Sequence, residues 1–226
     1  MNSTYFDITN KIVIITGSSR GIGYAIARGF IDSGALVHGI SRTESDLSKE
    51  KNYTHHLIDL KNKKSIFEVV EKIGNYRMKI DTLINCAGQT LDLESEKIYD
   101  ESIKNILDIN LLSPYFLSAS VIRFMKKNGG SIINITSIGS HLGFPNNPAY
   151  ISSKAGLSGL TRSLSYDYAH LGIRVNNLVP GYFKTAMTKK SFDDPSKNKD
   201  RANRSLLRRW GDPKELIGPA IFLASK

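Results

Sequence analysis

The chain has 226 residues, 40% hydrophobic and 23% charged, which suits one large globular domain or two small ones. Its one cysteine, Cys86, excludes an intrachain disulfide; residues 1–10 lack the pattern of a signal peptide, and no apolar run approaches membrane-spanning length, so a cytoplasmic protein without a membrane partner is expected. The net charge of +10 raises nucleic-acid binding, but much of the excess lies between Lys184 and Arg209, where nine basic residues face three acids, and no nucleic-acid motif accompanies it.

Six short runs read as strands: 11–16, 35–40, 54–58, 80–85, 131–136 and 173–179. Most are rich in Ile and Val, as strands buried on both faces are. Helical patterns lie between them near 22–33, 62–74, 98–127 and 150–170. Strand–helix alternation predicts an α/β fold, a Rossmann-like doubly wound parallel sheet in a three-layer αβα arrangement. No repeat or low-complexity linker interrupts it, so a single domain over 1–226 is expected.

The first strand runs into Thr16-Gly17-Ser18-Ser19-Arg20-Gly21-Ile22-Gly23 and then a helix. Glycines there permit a tight turn, and the helix N-terminus offers free N–H groups to a pyrophosphate. The spacing departs from G-x-G-x-x-G, so position rather than the fingerprint carries the reading. The second strand ends at Ser41-Arg42 where an acid would otherwise meet a ribose hydroxyl. Arg42 and Arg20 suit a 2′-phosphate, so NADP(H) is preferred and NAD(H) stays open; a solvated loop cation is the plainer reading of Arg42 alone. Asp59-Leu60 ends the third strand, and Asp59 either accepts from an adenine amino group or caps the next helix. Asn85-Cys86-Ala87-Gly88 ends the fourth, with small residues that let a cofactor lie close and Cys86 read as a small buried filler.

Asn110, set among apolar residues, either satisfies local backbone or organises a proton path. Ser137 precedes Tyr150 by thirteen residues, and Lys154 follows it by four. Tyr and Lys at that spacing share a helix face. A neighbouring ammonium is expected to lower the phenol pKa and ready it for proton exchange with a carbonyl or alcohol, with Ser137 holding the same oxygen. Pro180-Gly181-Tyr182-Phe183-Lys184-Thr185 follows the sixth strand, where backbone groups suit a nicotinamide carboxamide or form a plain turn.

In order and in register, these residues resemble the short-chain dehydrogenases/reductases across nearly the full length: T-G-x-x-x-G-I-G at Thr16–Gly23, Asp59-Leu60, N-x-A-G at Asn85–Gly88, Asn110, Ser137, Tyr150-x-x-x-Lys154, and Pro180-Gly181 with Thr185. The resemblance implies Tyr150 as general acid/base, Ser137 as polariser of the carbonyl and Lys154 as tuner of the tyrosine and holder of the nicotinamide ribose. It implies Asn110 as the holder of a relay water, no metal, and a homodimer or homotetramer. Cys86 stands where the family usually has a second Asn. Family members usually continue into another strand and a Gly-rich tail; this chain ends at Leu223-Ala224-Ser225-Lys226.

Substrate choice falls to 138–149 and to a basic segment at about 184–211, expected to fold over the pocket as a lid. The pattern resembles 3-oxoacyl-acyl-carrier-protein reductases, whose acidic carrier suits a basic rim. Pro148-Ala149 resembles the sugar and polyol members instead, and steroid or simple ketone substrates stay open. A non-catalytic nucleotide-binding regulator on the same fold is the alternative from another class.

Overall fold

The computed structural model describes residues 6–90 and 101–225. One parallel sheet forms from β1 (Ile12–Thr16), β2 (Leu36–Ser41), β3 (Tyr53–Leu57), β4 (Thr82–Asn85), β5 (Gly130–Ile135) and β6 (Ile173–Leu178). Its spatial order is β3-β2-β1-β4-β5-β6. All six expected strands are present, with ends within two residues of those expected. The order reverses between β1 and β4, the place where doubly wound sheets open a crevice.

Five helices cover the faces or connect the strands: α1 (Gly21–Asp32), α2 (Lys63–Arg77), α3 (Glu101–Leu107), α4 (Ser113–Met125) and α5 (Pro148–Tyr168). β1 shows why the strand signal was continuous rather than alternating. Ile12 and Ile14 enter one core with Ile66, Val70 and Leu117; Val13 and Ile15 enter the other with Ile26, Phe30 and Ala220. A strand covered on both sides has no polar face.

The helix expected over 98–127 is described from Glu101 on; its first residues lie outside the described ones. It is continuous to Met125 but widens into a π turn at Asp108–Leu112, where the Ser113 N–H donates to the Asp108 carbonyl. Pro114 has no N–H to offer the Asn110 carbonyl, and a wider turn accommodates that loss. Against the sequence expectation, Glu101–Met125 is long and apolar enough to span a membrane by length and composition. Here its apolar side chains, Leu117, Val121 and Met125 among them, fill the first core.

Three further helices were not expected: α6 (Lys189–Asp193), α7 (Pro195–Asn203) and α8 (Ile217–Ala224). The first two bury no residue and so carry no apolar stripe to read. α7 did carry a legible start: Asp194 accepts from the Ser196 and Lys197 N–H groups, with Pro195 at the first position.

A row of asparagines crosses the sheet just below its carboxyl end. Asn85, Asn134 and Asn177 are register partners on β4, β5 and β6. Asn85 Nδ2 donates to Asn134 Oδ1 at 2.8 Å, and Asn134 Nδ2 donates to Thr161 Oγ1 of α5 at 2.8 Å. Asn177 joins through Thr161 at 2.6 Å and Ser158 at 3.1 Å. Buried amides of this kind cost stability unless partnered, so the row ties α5 to the three strands in one register. Asn134→Ala removes a hydrogen bond from each of two buried partners, Asn85 and Thr161, and is expected to cost about 3 kcal/mol, against about 1 kcal/mol for Ile133→Val. Urea unfolding of both variants checks this; equal losses would contradict a binding role for the row.

Candidate active site

The carboxyl ends of the strands open into a cleft of about 530 Å³. Of the residues singled out in the sequence, Gly17, Ser19, Arg20, Gly21, Ile22, Gly23, Ser41, Arg42, Asp59, Leu60, Ala87, Gly88, Ser137, Tyr150, Lys154, Pro180, Gly181, Phe183 and Thr185 line it. Asn85 and Asn110 do not.

At one end lies the glycine-rich turn. Gly17 and Gly21 have φ of 71° and 62°, in the left-handed region. A Cβ on Gly17 would stand 2.9 Å from Ala87 Cα, and one on Gly23 would overlap the Gly17 carbonyl oxygen. The Thr16 hydroxyl accepts from the Cys86 and Ala87 N–H groups, both at 3.0 Å, and so fastens β1 to the end of β4. α1 then starts with Arg20 as N-cap and no side-chain cap. Its first N–H groups and positive dipole end face an anion site made of backbone. The turn, the uncapped helix and the bare glycines fit a dinucleotide pyrophosphate.

Arg20 and Arg42 are exposed and reach the cleft from two loops. Ser41 is committed locally, donating to the Thr43 carbonyl at 2.7 Å. Asp59 Oδ1 accepts from the Lys61 N–H at 3.0 Å. Asp59 is not the cap of α2: Asn62 takes that place, accepting from the Ser65 N–H at 3.1 Å.

Asn85 departs from the expected cofactor contact. Its side chain is buried in the asparagine row, because the strand's alternation turns it into the sheet's packing rather than the crevice. Cys86 packs against the second core, and burial pushes its thiol up to about 12. Asn110 is fully buried in the π turn. Its Oδ1 accepts from the Gln89 N–H at 2.8 Å; its Nδ2 donates to the Gln89 carbonyl at 2.9 Å and to Ser153 Oγ at 3.0 Å. Of the two alternatives, local backbone is what this amide satisfies here.

At the other end stand Ser137, just past β5, and Tyr150 and Lys154 on α5. Ser137 Oγ accepts from the Gly139 N–H at 3.1 Å, and its hydroxyl lies beside the Tyr150 phenol, where it favours the phenolate. Lys154 Nζ donates to the Ile135 carbonyl at 2.7 Å and lies 5.9 Å from the Tyr150 ring centre. The lysine is 4% exposed, and burial lowers its pKa to about 8. The expected lowering of the phenol is reversed: burial raises the Tyr150 pKa, with the nearby Ser137 hydroxyl opposing it. The ammonium is turned to a strand carbonyl, so desolvation of the phenolate outweighs it. The phenol is therefore protonated at neutral pH and shares one spot with the Ser137 hydroxyl.

Sequence reading missed Thr43, Gln89, Thr90, Met187 and Thr188, which also line the cleft. Thr188 had a signal: with Thr185 it forms a capping box three residues apart, Thr185 N–H donating to Thr188 Oγ1 at 3.0 Å. The others follow recognisable motifs directly but have no pattern of their own.

Residues 11–196 match the family described as short chain dehydrogenase. A 2-dehydro-3-deoxy-D-gluconate 5-dehydrogenase of Bacillus subtilis is 35% identical over 98% of this chain and 90% of its own length. A 3-oxoacyl-[acyl-carrier-protein] reductase of Rickettsia felis is 36% identical over 97% of this chain and 91% of its own. The crystal structure of a gluconate 5-dehydrogenase from Burkholderia cenocepacia, in complex with NADP and tartrate, superposes with a TM-score of 0.93 at 30% identity, over 98% of this chain and 91% of that one. The chain belongs to the short-chain dehydrogenase family.

Proposed function

We propose that the protein is an NADP(H)-dependent oxidoreductase interconverting a ketone and a secondary alcohol, with Ser137, Tyr150 and Lys154 as its catalytic set. The observation that carries this is that Ser137, Tyr150 and the buried Lys154 ammonium line the same cleft as the uncapped N-terminus of α1. The glycine-rich turn would hold the pyrophosphate, with Arg20 and Arg42 at the 2′-phosphate. A bound nicotinamide supplies or accepts the hydride.

Tyr150 and Ser137 then hold the substrate oxygen between two hydroxyls. In ketone reduction Tyr150 gives its proton to that oxygen. Burial keeps the phenol protonated beforehand; Lys154 meets the negative charge only once the proton has left. The ammonium therefore favours the transition state over the ground state. Alcohol oxidation runs the same path in reverse.

For the substrate, we read a sugar acid of the gluconate type. Polar Gln89 and Thr90 line the cleft that Tyr150 faces, and relatives in Bacillus subtilis and Escherichia coli are a 2-dehydro-3-deoxy-D-gluconate 5-dehydrogenase and a 5-keto-D-gluconate 5-reductase. A second reading, an acyl-carrier thioester, is favoured by an adjoining cleft of about 600 Å³ with Ile138, Leu142, Phe144 and Leu207 in its walls. Segment 184–211 is read as the lid. Its ends are tied together where the Lys184 N–H donates to the Gly211 carbonyl at 3.0 Å and the Gly211 N–H to the Tyr182 carbonyl at 2.9 Å. Trp210 packs on Tyr182 and Phe192. Four of its cations, Lys189, Lys197, Arg204 and Arg209, are already in ion pairs, which leaves less free charge than composition suggested.

Turnover of 5-keto-D-gluconate with NADPH, compared with an acetoacetyl thioester, separates the two readings: the sugar acid is expected to show the higher kcat/KM, and the reverse order moves the assignment to acyl substrates. Tyr150→Phe is expected to lower kcat by roughly two to four orders of magnitude, with NADPH affinity, read by fluorescence titration, within about twofold. Full turnover in that variant would remove the catalytic assignment. Lys154 gives a stability test. Its pKa falls from 10.5 to about 8 on folding, so between those values the unfolded chain binds more protons and stability rises with pH. Relative to Lys154→Met, wild type is expected to gain about 2 kcal/mol between about pH 8 and about pH 10 and nothing below. A flat difference across that range would show the ammonium is not buried.

A further inference from the structure

The loop that follows β2 is held from behind by a closed circuit of side chains. Ser18, fully buried in the glycine-rich turn, has its hydroxyl 2.8 Å from the Tyr53 phenolic oxygen. That oxygen is 2.8 Å from His55 Nδ1. His55 Nε2 lies 3.0 Å from the Thr43 carbonyl and 3.2 Å from Ser41 Oγ. Thr43 Oγ1 donates to Ser19 Oγ at 3.0 Å, which returns the circuit to the turn where it began.

The directions of these bonds follow from the one member that can only accept. The Thr43 carbonyl requires the His55 proton on Nε2; Nδ1 then accepts from Tyr53, and Tyr53 accepts from Ser18. Burial raises the Tyr53 pKa, so the phenol keeps the proton it donates. The fold reserves room for this. A Cβ at residue 39 would overlap both the Tyr53 hydroxyl and Ser18 Oγ, and Gly39 stands there. β2 therefore carries glycine where the Ser18–Tyr53 bond crosses it.

Ser41, Arg42 and Thr43 line the cleft, whereas Tyr53 and His55 stand behind them. We propose that Tyr53 and His55 are positioning residues that set cofactor specificity: they fix the Ser41-Arg42-Thr43 loop in the place where an adenosine 2′-phosphate is read. The proposal rests on the NADP(H) reading above. Its physical content is selective. A loosened loop loses contacts to the 2′-phosphate, while the pyrophosphate contacts on α1 and the catalytic end are left intact. NADH, which lacks that phosphate, has nothing to lose there.

The test is titration of NADPH and NADH, followed by nicotinamide fluorescence, into wild type, Tyr53→Phe, His55→Leu and His55→Gln, each first checked for cooperative unfolding. Tyr53→Phe and His55→Leu are expected to weaken NADPH about fivefold, the worth of one net hydrogen bond, and NADH by less than about twofold. His55→Gln keeps an N–H donor for the Thr43 carbonyl and is expected to restore most of the NADPH affinity. In an Arg42→Ala background, Tyr53→Phe is expected to change NADPH affinity by less than about twofold, because the residue it acts through is gone. Equal weakening of both cofactors, or an undiminished effect without Arg42, would reduce the circuit to general packing and overturn the proposal. Unchanged NADPH affinity in all three variants would overturn it too. Wild type without an NADPH preference would instead overturn the cofactor reading, and is measured before any variant.

Discussion

A buried ammonium sets the terms for the rest of this structure. Lys154 is nearly inaccessible, and a charge so placed is costly unless something accepts from it. The acceptor is the carbonyl of Ile135, the last residue of β5. That bond requires α5 to lie across the end of the sheet at one height and in one rotation. With the helix so fixed, Tyr150 comes one turn earlier on the same face and meets Ser137, which follows β5 directly. The same burial that depresses the lysine raises the tyrosine. One environment thus holds the phenol protonated and places it one helical turn from a buried cation.

The asparagine row serves that placement from below. Asn134 reaches Thr161 and Asn177 reaches Ser158, both on α5, while Asn85 extends the row to β4. Asn110 does the equivalent from the other side. Through Ser153 it joins α5 to the loop after β4, whose Gly88 stands within 3.7 Å of Lys154 Nζ as measured from the Cβ that glycine lacks. Polar groups inside a parallel sheet are otherwise a liability; here the bonded amides specify a register that apolar packing alone would leave loose. The nucleotide end is organised in the same manner by Thr16 and by the Ser18–Tyr53–His55 circuit.

The sheet was legible because six Ile- and Val-rich runs between helical patterns leave few alternatives. The order of cleft residues was legible because chemistry at strand ends is punctuated by Gly, Pro and short polar residues. Other features were hidden for physical reasons. Whether Asn85 faces the cofactor or the sheet depends on strand alternation measured from a boundary that sequence places only within a residue or two. The direction of the Tyr150 shift depends on burial, which spacing on a helix does not report. α6 and α7 have no buried face and so no period. The Tyr53–His55 circuit links residues 35 apart to the turn through a gap left by Gly39, and no local pattern encodes it.

The proposed activity needs a nucleotide site and a proton donor in one cleft. Its most direct test is equilibrium binding of NADPH and NADH to the purified chain. Micromolar or tighter NADPH binding with weaker NADH binding is the predicted result. Failure to bind either nucleotide would contradict the account at its base, since a reductase with Tyr150 in place has no hydride to use.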